Sequence, residues 1–148
     1  MVATYDRNGI RFHYPENWKV QEDEPKPDEY CVTLQSPGSG FWMLHVFESV
    51  ESLQRLAGEV KQSIQGEYEE ADVKAVKDYI EGTPLAGYDL QFCCLHFIVS
   101  AVVRSFPLGE RTCVLLSQAE DAEFEQMAPV FSAVTTSLIQ EAKSSNGA

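Results

Sequence analysis

The sequence predicts an α+β domain: one antiparallel sheet of about six to eight strands with two main helices packed on it. Three observations carry that prediction. Short segments alternate apolar and polar residues with a period of two. Two longer segments repeat apolar residues at helical spacing, Leu53–Ile64 and Phe124–Leu138. The order is strands, helix, strands, helix, which does not fit a run of βαβ units.

In Gly9–Tyr14 the residues Ile10, Phe12 and Tyr14 share one face and Arg11 and His13 the other. Pro15 ends the strand because it has no N–H to give to a ladder. Glu16-Asn17 then reads as a turn, with Trp18-Lys19-Val20 as the return strand of a hairpin whose aromatic residues close one end of the core. Residues 21–30, QEDEPKPDEY, read as a loop, since two prolines and five acids leave little to bury. Tyr30–Ser36 and Phe41–Glu48 form a second hairpin across the turn Pro37-Gly38-Ser39-Gly40.

The first helix spans about residues 51–65, with an apolar stripe of Leu53, Leu56, Ala57, Val60 and Ile64 and an i,i+4 pair of Glu51 and Arg55. Gly66 is its expected stop. Tyr68–Ile80 reads as a strand. EGTPLAG follows as a turn, although Thr83–Leu85 already has strand character. Gly87–Phe106 is apolar on both faces and reads as one long central strand. PLGER turns the chain into a last strand, Thr112–Gln118. The second helix runs from Asp121, its N-cap, to about Gln140, and Pro129 inside it is expected to kink or open it. One domain covers residues 1–148, with its core at about 8–140 and a flexible tail at 141–148.

The formal charge is −12, from 11 basic and 23 acidic side chains. No cluster of Lys and Arg offers itself to phosphate, so nucleic acid and anionic membrane are excluded as expected partners. The N-terminus lacks the basic and apolar regions of a signal peptide, and Leu90–Val103 is too short and too polar to cross a bilayer. Cys31, Cys93, Cys94 and Cys113 show no CxxC spacing, so the expectation is four free thiols in the cytoplasm.

Several segments in order resemble the PsbP-like or Mog-like fold, shared by photosystem extrinsic PsbP, the Ran-binding Mog proteins and bacterial DcrB-like domains. They are Phe12-His13-Tyr14-Pro15-Glu16-Asn17-Trp18, Leu34-Gln35-Ser36-Pro37, and Phe124 with Pro129, Phe131 and Ser137-Leu138, together covering about residues 8–139. The resemblance implies an α/β/α sandwich whose members mostly bind other proteins or act as assembly factors. It supplies no catalytic motif to carry over.

Individual residues add little chemistry. His13, His45 and His96 have no metal-ligand spacing among themselves or with the cysteines. The acidic run Glu22–Glu29 lacks the spacing of a calcium loop. Neighbouring strand residues point to opposite faces, so Cys93-Cys94 suits neither a mutual disulfide nor a shared metal. His96, two residues from Cys94 and on the same face of the long strand, makes the one candidate nucleophile–base pair. No nucleotide or phosphate-binding motif occurs, and no metal or cofactor is expected.

The expected function is therefore non-catalytic: a protein-binding or assembly domain, with self-association as a homodimer as the other form of partner. The alternatives are a secretion-effector chaperone with the same fold, or a small enzyme or metal binder using His96 and Cys94. The candidate partner surface lies on strand 41–48, at Phe41, Trp42, Met43, His45 and Phe47, with the outward parity left open. The helix stripes are wide enough for one sheet face, so the other is expected to be only partly covered, by the opening hairpin and by another chain.

Overall fold

A computed structural model describes residues 1–24, 26–68 and 70–146. Among the described residues the chain forms β1 (Val2–Arg7), β2 (Ile10–Pro15), β3 (Lys19–Glu22), β4 (Glu29–Gln35), β5 (Phe41–Phe47), α1 (Leu53–Glu67), β6 (Asp72–Ile80), β7 (Thr83–Cys94), β8 (Phe97–Leu108), β9 (Arg111–Glu120) and α2 (Asp121–Asn146). Seven strands make one sheet in the order β3-β4-β5-β9-β8-β7-β6, and β1-β2 form a separate two-stranded sheet. Every pairing is antiparallel. The α+β prediction holds.

The opening strand pairs differently from expectation. Ile10–Pro15 does not form a hairpin with Trp18–Val20; it pairs with β1 through a two-residue turn. That turn is Asn8-Gly9, with φ of 56° and 76°, the left-handed pair a type I′ hairpin requires and Asn-Gly adopts readily. Arg111 donates to the Asn8 and Gly9 carbonyls at 2.9 Å each and ties the turn to the β8–β9 end of the main sheet. After Pro15 the chain turns, the Trp18 N–H donating to the Pro15 carbonyl at 3.0 Å. β3 then joins the main sheet beside β4.

The expected central strand 87–106 is two strands. β7 and β8 pair from Ala86↔Ser105 to Cys94↔Phe97 around the turn Leu95-His96, whose φ values are 50° and 72°. Neither residue is glycine or asparagine, so the turn carries no local signal. The β6–β7 turn is Glu81-Gly82, and β7 begins at Thr83.

Ser52 caps α1, its hydroxyl accepting from the Arg55 N–H at 3.2 Å. Gly66 does not stop the helix, which continues to Glu67. It ends where Tyr68 turns extended and stacks on Phe92 at 4.4 Å between ring centroids. α2 holds Pro129 within its span and continues past the expected end near Gln140 to Asn146. Part of the predicted tail is therefore helix, and residues 147–148 lie outside the described residues. Gln140 and Lys143 bind Glu81 on the β6–β7 turn, a tether that explains the extra length.

The two helices lie on opposite faces of the main sheet, the α/β/α arrangement that the resemblance implies, and not on the one shared face that the width of their stripes suggests. Adjacent residues of β9 prove the point: Leu115 belongs to the cluster with Phe131, Val134 and Leu138 of α2, and Leu116 to the cluster with Ala57 and Ile64 of α1. The first cluster also takes in Tyr5, Ile10 and Phe12, so β1-β2 and α2 share one face and α1 takes the other. Their stripes match because each strand near the middle of the sheet is apolar at both parities.

Candidate functional site

Strand β5 resolves its own ambiguity. Trp42, Leu44 and Val46 face the α2 side and are fully buried. Trp42 donates its indole N–H to Thr135 Oγ1 of α2 at 3.0 Å. Trp42 is thus a core residue and not part of a partner surface, because the chain's second layer closes over its parity. Phe41, Met43, His45 and Phe47 share the opposite face and are half-buried. Phe41 and Met43 pack at the edge of the α1 cluster. His45 stacks on Phe47 at 4.4 Å and faces Glu29 Oε2 at 3.2 Å.

The candidate pair Cys94 and His96 is not assembled. Its basis was a shared strand face, and the turn at Leu95-His96 removes it: Cys94 ends β7 and His96 stands in the turn. Cys94 Sγ lies 3.8 Å from the Tyr68 hydroxyl instead. His13 contacts Thr4 Oγ1 at 2.9 Å and Glu141 Oε1 at 3.0 Å on the α2 side, far along the chain from His45 and its Glu29. Among the described residues the four cysteines are free. Burial pushes the Cys31 thiol up to about 11 and the Cys113 thiol up to about 12, which leaves both un-ionised and unreactive near neutrality. Cys93 is exposed.

On the α2 side, β6, β7 and β8 form a polar shelf beside the start of α2. A cavity of about 470 Å³ there is lined by Asp72, Lys74, Asp89, Gln91, Ser100, Asp121 and Phe124 among others. Ser100 donates to Asp121 Oδ1 at 2.8 Å, and Gln91 Nε2 donates to the same oxygen at 3.0 Å. Arg104 pairs with Asp89 at 2.8 Å. The network pins the first residue of α2 to the sheet.

Three exposed apolar residues cluster at the end of the β7–β8 hairpin. Leu95, Phe97 and Ile98 are 84%, 58% and 53% exposed. The hairpin outruns its neighbours: β6 pairs with β7 only as far as Gln91, and β9 with β8 only from Val99 onward. Beneath the tip the surface is acidic, with Glu120 opposite Val99, Asp121 next to it, and Asp72 opposite Gln91. Sequence reasoning placed these apolar residues inside a strand. The one signal against that was length, since twenty continuous residues exceed the usual strand of about 3–10.

No family model matches this sequence, and no curated protein matches it. Solved structures do resemble the fold. Cyanobacterial PsbP (CyanoP) from Synechocystis sp. PCC 6803 is similar with a TM-score of 0.63 at 11% identity, over 92% of this chain and 90% of that one. A protein of Bacteroides thetaiotaomicron VPI-5482 is similar with a TM-score of 0.56 at 14% identity, over 86% of this chain and 43% of that one. A protein of unknown function from Pseudomonas aeruginosa, PA94, is similar with a TM-score of 0.50 at 10% identity, over 93% and 95% of the two chains. The chain has a PsbP-like fold. Among the described residues no helix is long and apolar enough to cross a membrane.

Proposed function

We propose that this PsbP-like chain is a non-catalytic binding domain that seats the tip of its β7–β8 hairpin in an apolar socket of a partner protein. The observation that carries the reading is the projecting tip itself, with Leu95, Phe97 and Ile98 turned to solvent. Apolar side chains clustered on a protrusion and rimmed by polar groups are a common mark of a contact site. The acids below the tip, Asp72, Glu120 and Asp121, select a socket with a basic rim and speed encounter with it. The half-buried face of β5 lies on the α1 side, with Phe41 at its end nearer the tip and Phe47, in line with Thr112 and Pro107, at the far end of the sheet, so it is a separate surface from the tip.

The test compares wild type with Phe97→Asp and Ile98→Asp. Both side chains are more than half exposed, so both variants keep the melting midpoint of wild type. Each loses a host protein that wild-type bait retains. Identical sets of retained proteins for wild type and both variants would sink the reading.

A further inference from the structure

The main sheet ends at β3, a strand of four residues, and at β6, the longer edge of nine residues, with no strand beside it among the described residues. The two-residue turn Glu81-Gly82 makes Ile80↔Thr83 a hydrogen-bonded pair. By alternation Ile80, Asp78, Val76 and Lys74 bond to β7, and Tyr79, Lys77, Ala75 and Val73 aim their N–H and C=O groups away from it. Pro84 opposite Tyr79 agrees, since a proline has no N–H to give. The Tyr79 N–H also reaches the Asp78 side chain at 3.2 Å, as a group without a strand partner would.

We propose that β6 pairs with β6 of a second copy of this chain, antiparallel about a twofold axis at Val76. In that register Val73 meets Tyr79 and Ala75 meets Lys77, once from each copy, and each of these outward-facing pairs exchanges two backbone hydrogen bonds. On the α2 side Lys74 stands directly opposite Asp78 of the other copy, twice over. Opposite charges placed so stabilise a pair of strands, and like charges destabilise it. The neighbouring registers fail on charge: centring on Ala75 sets Asp72 against Asp78, and centring on Lys77 sets that lysine against itself. Tyr79, 72% exposed in the single chain, gains Val73 of the other copy as its cross-strand neighbour. Lysines on an edge strand usually block pairing; here Lys74 finds a carboxylate and Lys77 finds an alanine. The two seven-stranded sheets become one, and both hairpin tips stay free.

The experiment is sedimentation of the purified chain at physiological salt, where the mutual repulsion of two acidic copies is screened beyond about 8 Å. The expected result is a dimer. Lys74→Asp, which sets Asp against Asp78 in both pairs, weakens it by about tenfold or more. Adding Asp78→Lys to the same chain restores it. The tip variants Phe97→Asp and Ile98→Asp leave it unchanged, so this proposal and the partner-binding reading fail independently. Should Lys74→Asp fail to fold by circular dichroism, a Val76→Cys variant in a Cys93→Ser background decides the matter. The two positions 76 face each other as a non-hydrogen-bonded pair, about 4.5 Å between Cα atoms, and close to a disulfide on mild oxidation. Lys74→Cys in the same background does not. A monomeric wild type, a dimer indifferent to Lys74→Asp, or cross-linking at position 74 in place of 76 overturns the proposal, the first leaving the edge to a foreign strand.

Discussion

Tyr5 and Tyr30 are buried with hydroxyls that have no hydrogen-bond partner among the described residues. Burial, helped by the negative charge of Glu22, pushes the Tyr5 hydroxyl from its ordinary value near 10 up to about 12. Burial likewise raises Tyr30 and lifts the Cys113 thiol from near 9 to about 12. All three hold their protons more tightly folded than unfolded. Their stabilising share is complete below pH 9 and drains away as pH climbs through 9 to 12. Denaturant midpoints should therefore fall across that window. Tyr5→Phe should shallow the fall and cost about 1 kcal/mol or less at neutral pH, because the hydroxyl faces the Glu22 carboxylate without a hydrogen bond of ordinary geometry. A larger neutral-pH loss would reveal a partner for that oxygen. The sequence could place Tyr5 nowhere, since it precedes the stretch whose alternation was legible. Trp18 it placed correctly: the indole is buried and packs edge-on against Phe131 at 5.7 Å.

Among the elements, the β1–β2 hairpin shows how a local signal can be present and go unused. Asn8-Gly9 is a strong hairpin dipeptide, yet the alternation from Ile10 to Tyr14 draws Gly9 into the strand, and Pro15 and Trp18 suggest a turn further on. Gly9 sits at φ 76°, and a Cβ there would meet the Arg111 guanidinium at 3.3 Å. Gly9→Ala should thus cost about 1–2 kcal/mol from the left-handed backbone alone, with Asn8→Gly close to neutral. Urea unfolding measures both, and a neutral Gly9→Ala would mean the hairpin contributes little to the fold. The β7–β8 turn is the opposite case. Leu95 and His96 take left-handed angles against their own preference because the long pairing from Ala86↔Ser105 to Cys94↔Phe97 holds them there. Nothing within a few residues announces it. That hidden turn dissolved the Cys94–His96 pair and created the exposed tip.

At the scale of the whole molecule, charge and covering decide. A surplus of twelve negative charges repels itself in the compact state. The ion pairs that oppose it are mostly exposed, such as Arg55 with Glu51 and Glu59, and exposed pairs of this kind contribute little. Raising sodium chloride from about 0.01 to 0.15 M shortens the screening length from about 30 to 8 Å and should raise the melting midpoint at low protein concentration. A falling midpoint would show that paired charges outweigh the surplus. On the proposed reading, the same balance favours a basic-rimmed partner for the tip. By itself the sequence determined the α+β class, the helix stripes of α1 and α2, the strand alternation from Tyr30 to Phe47 and the tight turn at Pro37–Gly40. Those depend on periodicity and turn chemistry, which are local. Tertiary structure alone decided the rest: that β2 turns back to β1 and not to β3, that α1 and α2 take opposite faces, and that Trp42 is inward and Phe47 outward. β5 is apolar at both parities, and an apolar residue carries no mark of which layer will close over it until that layer is in place.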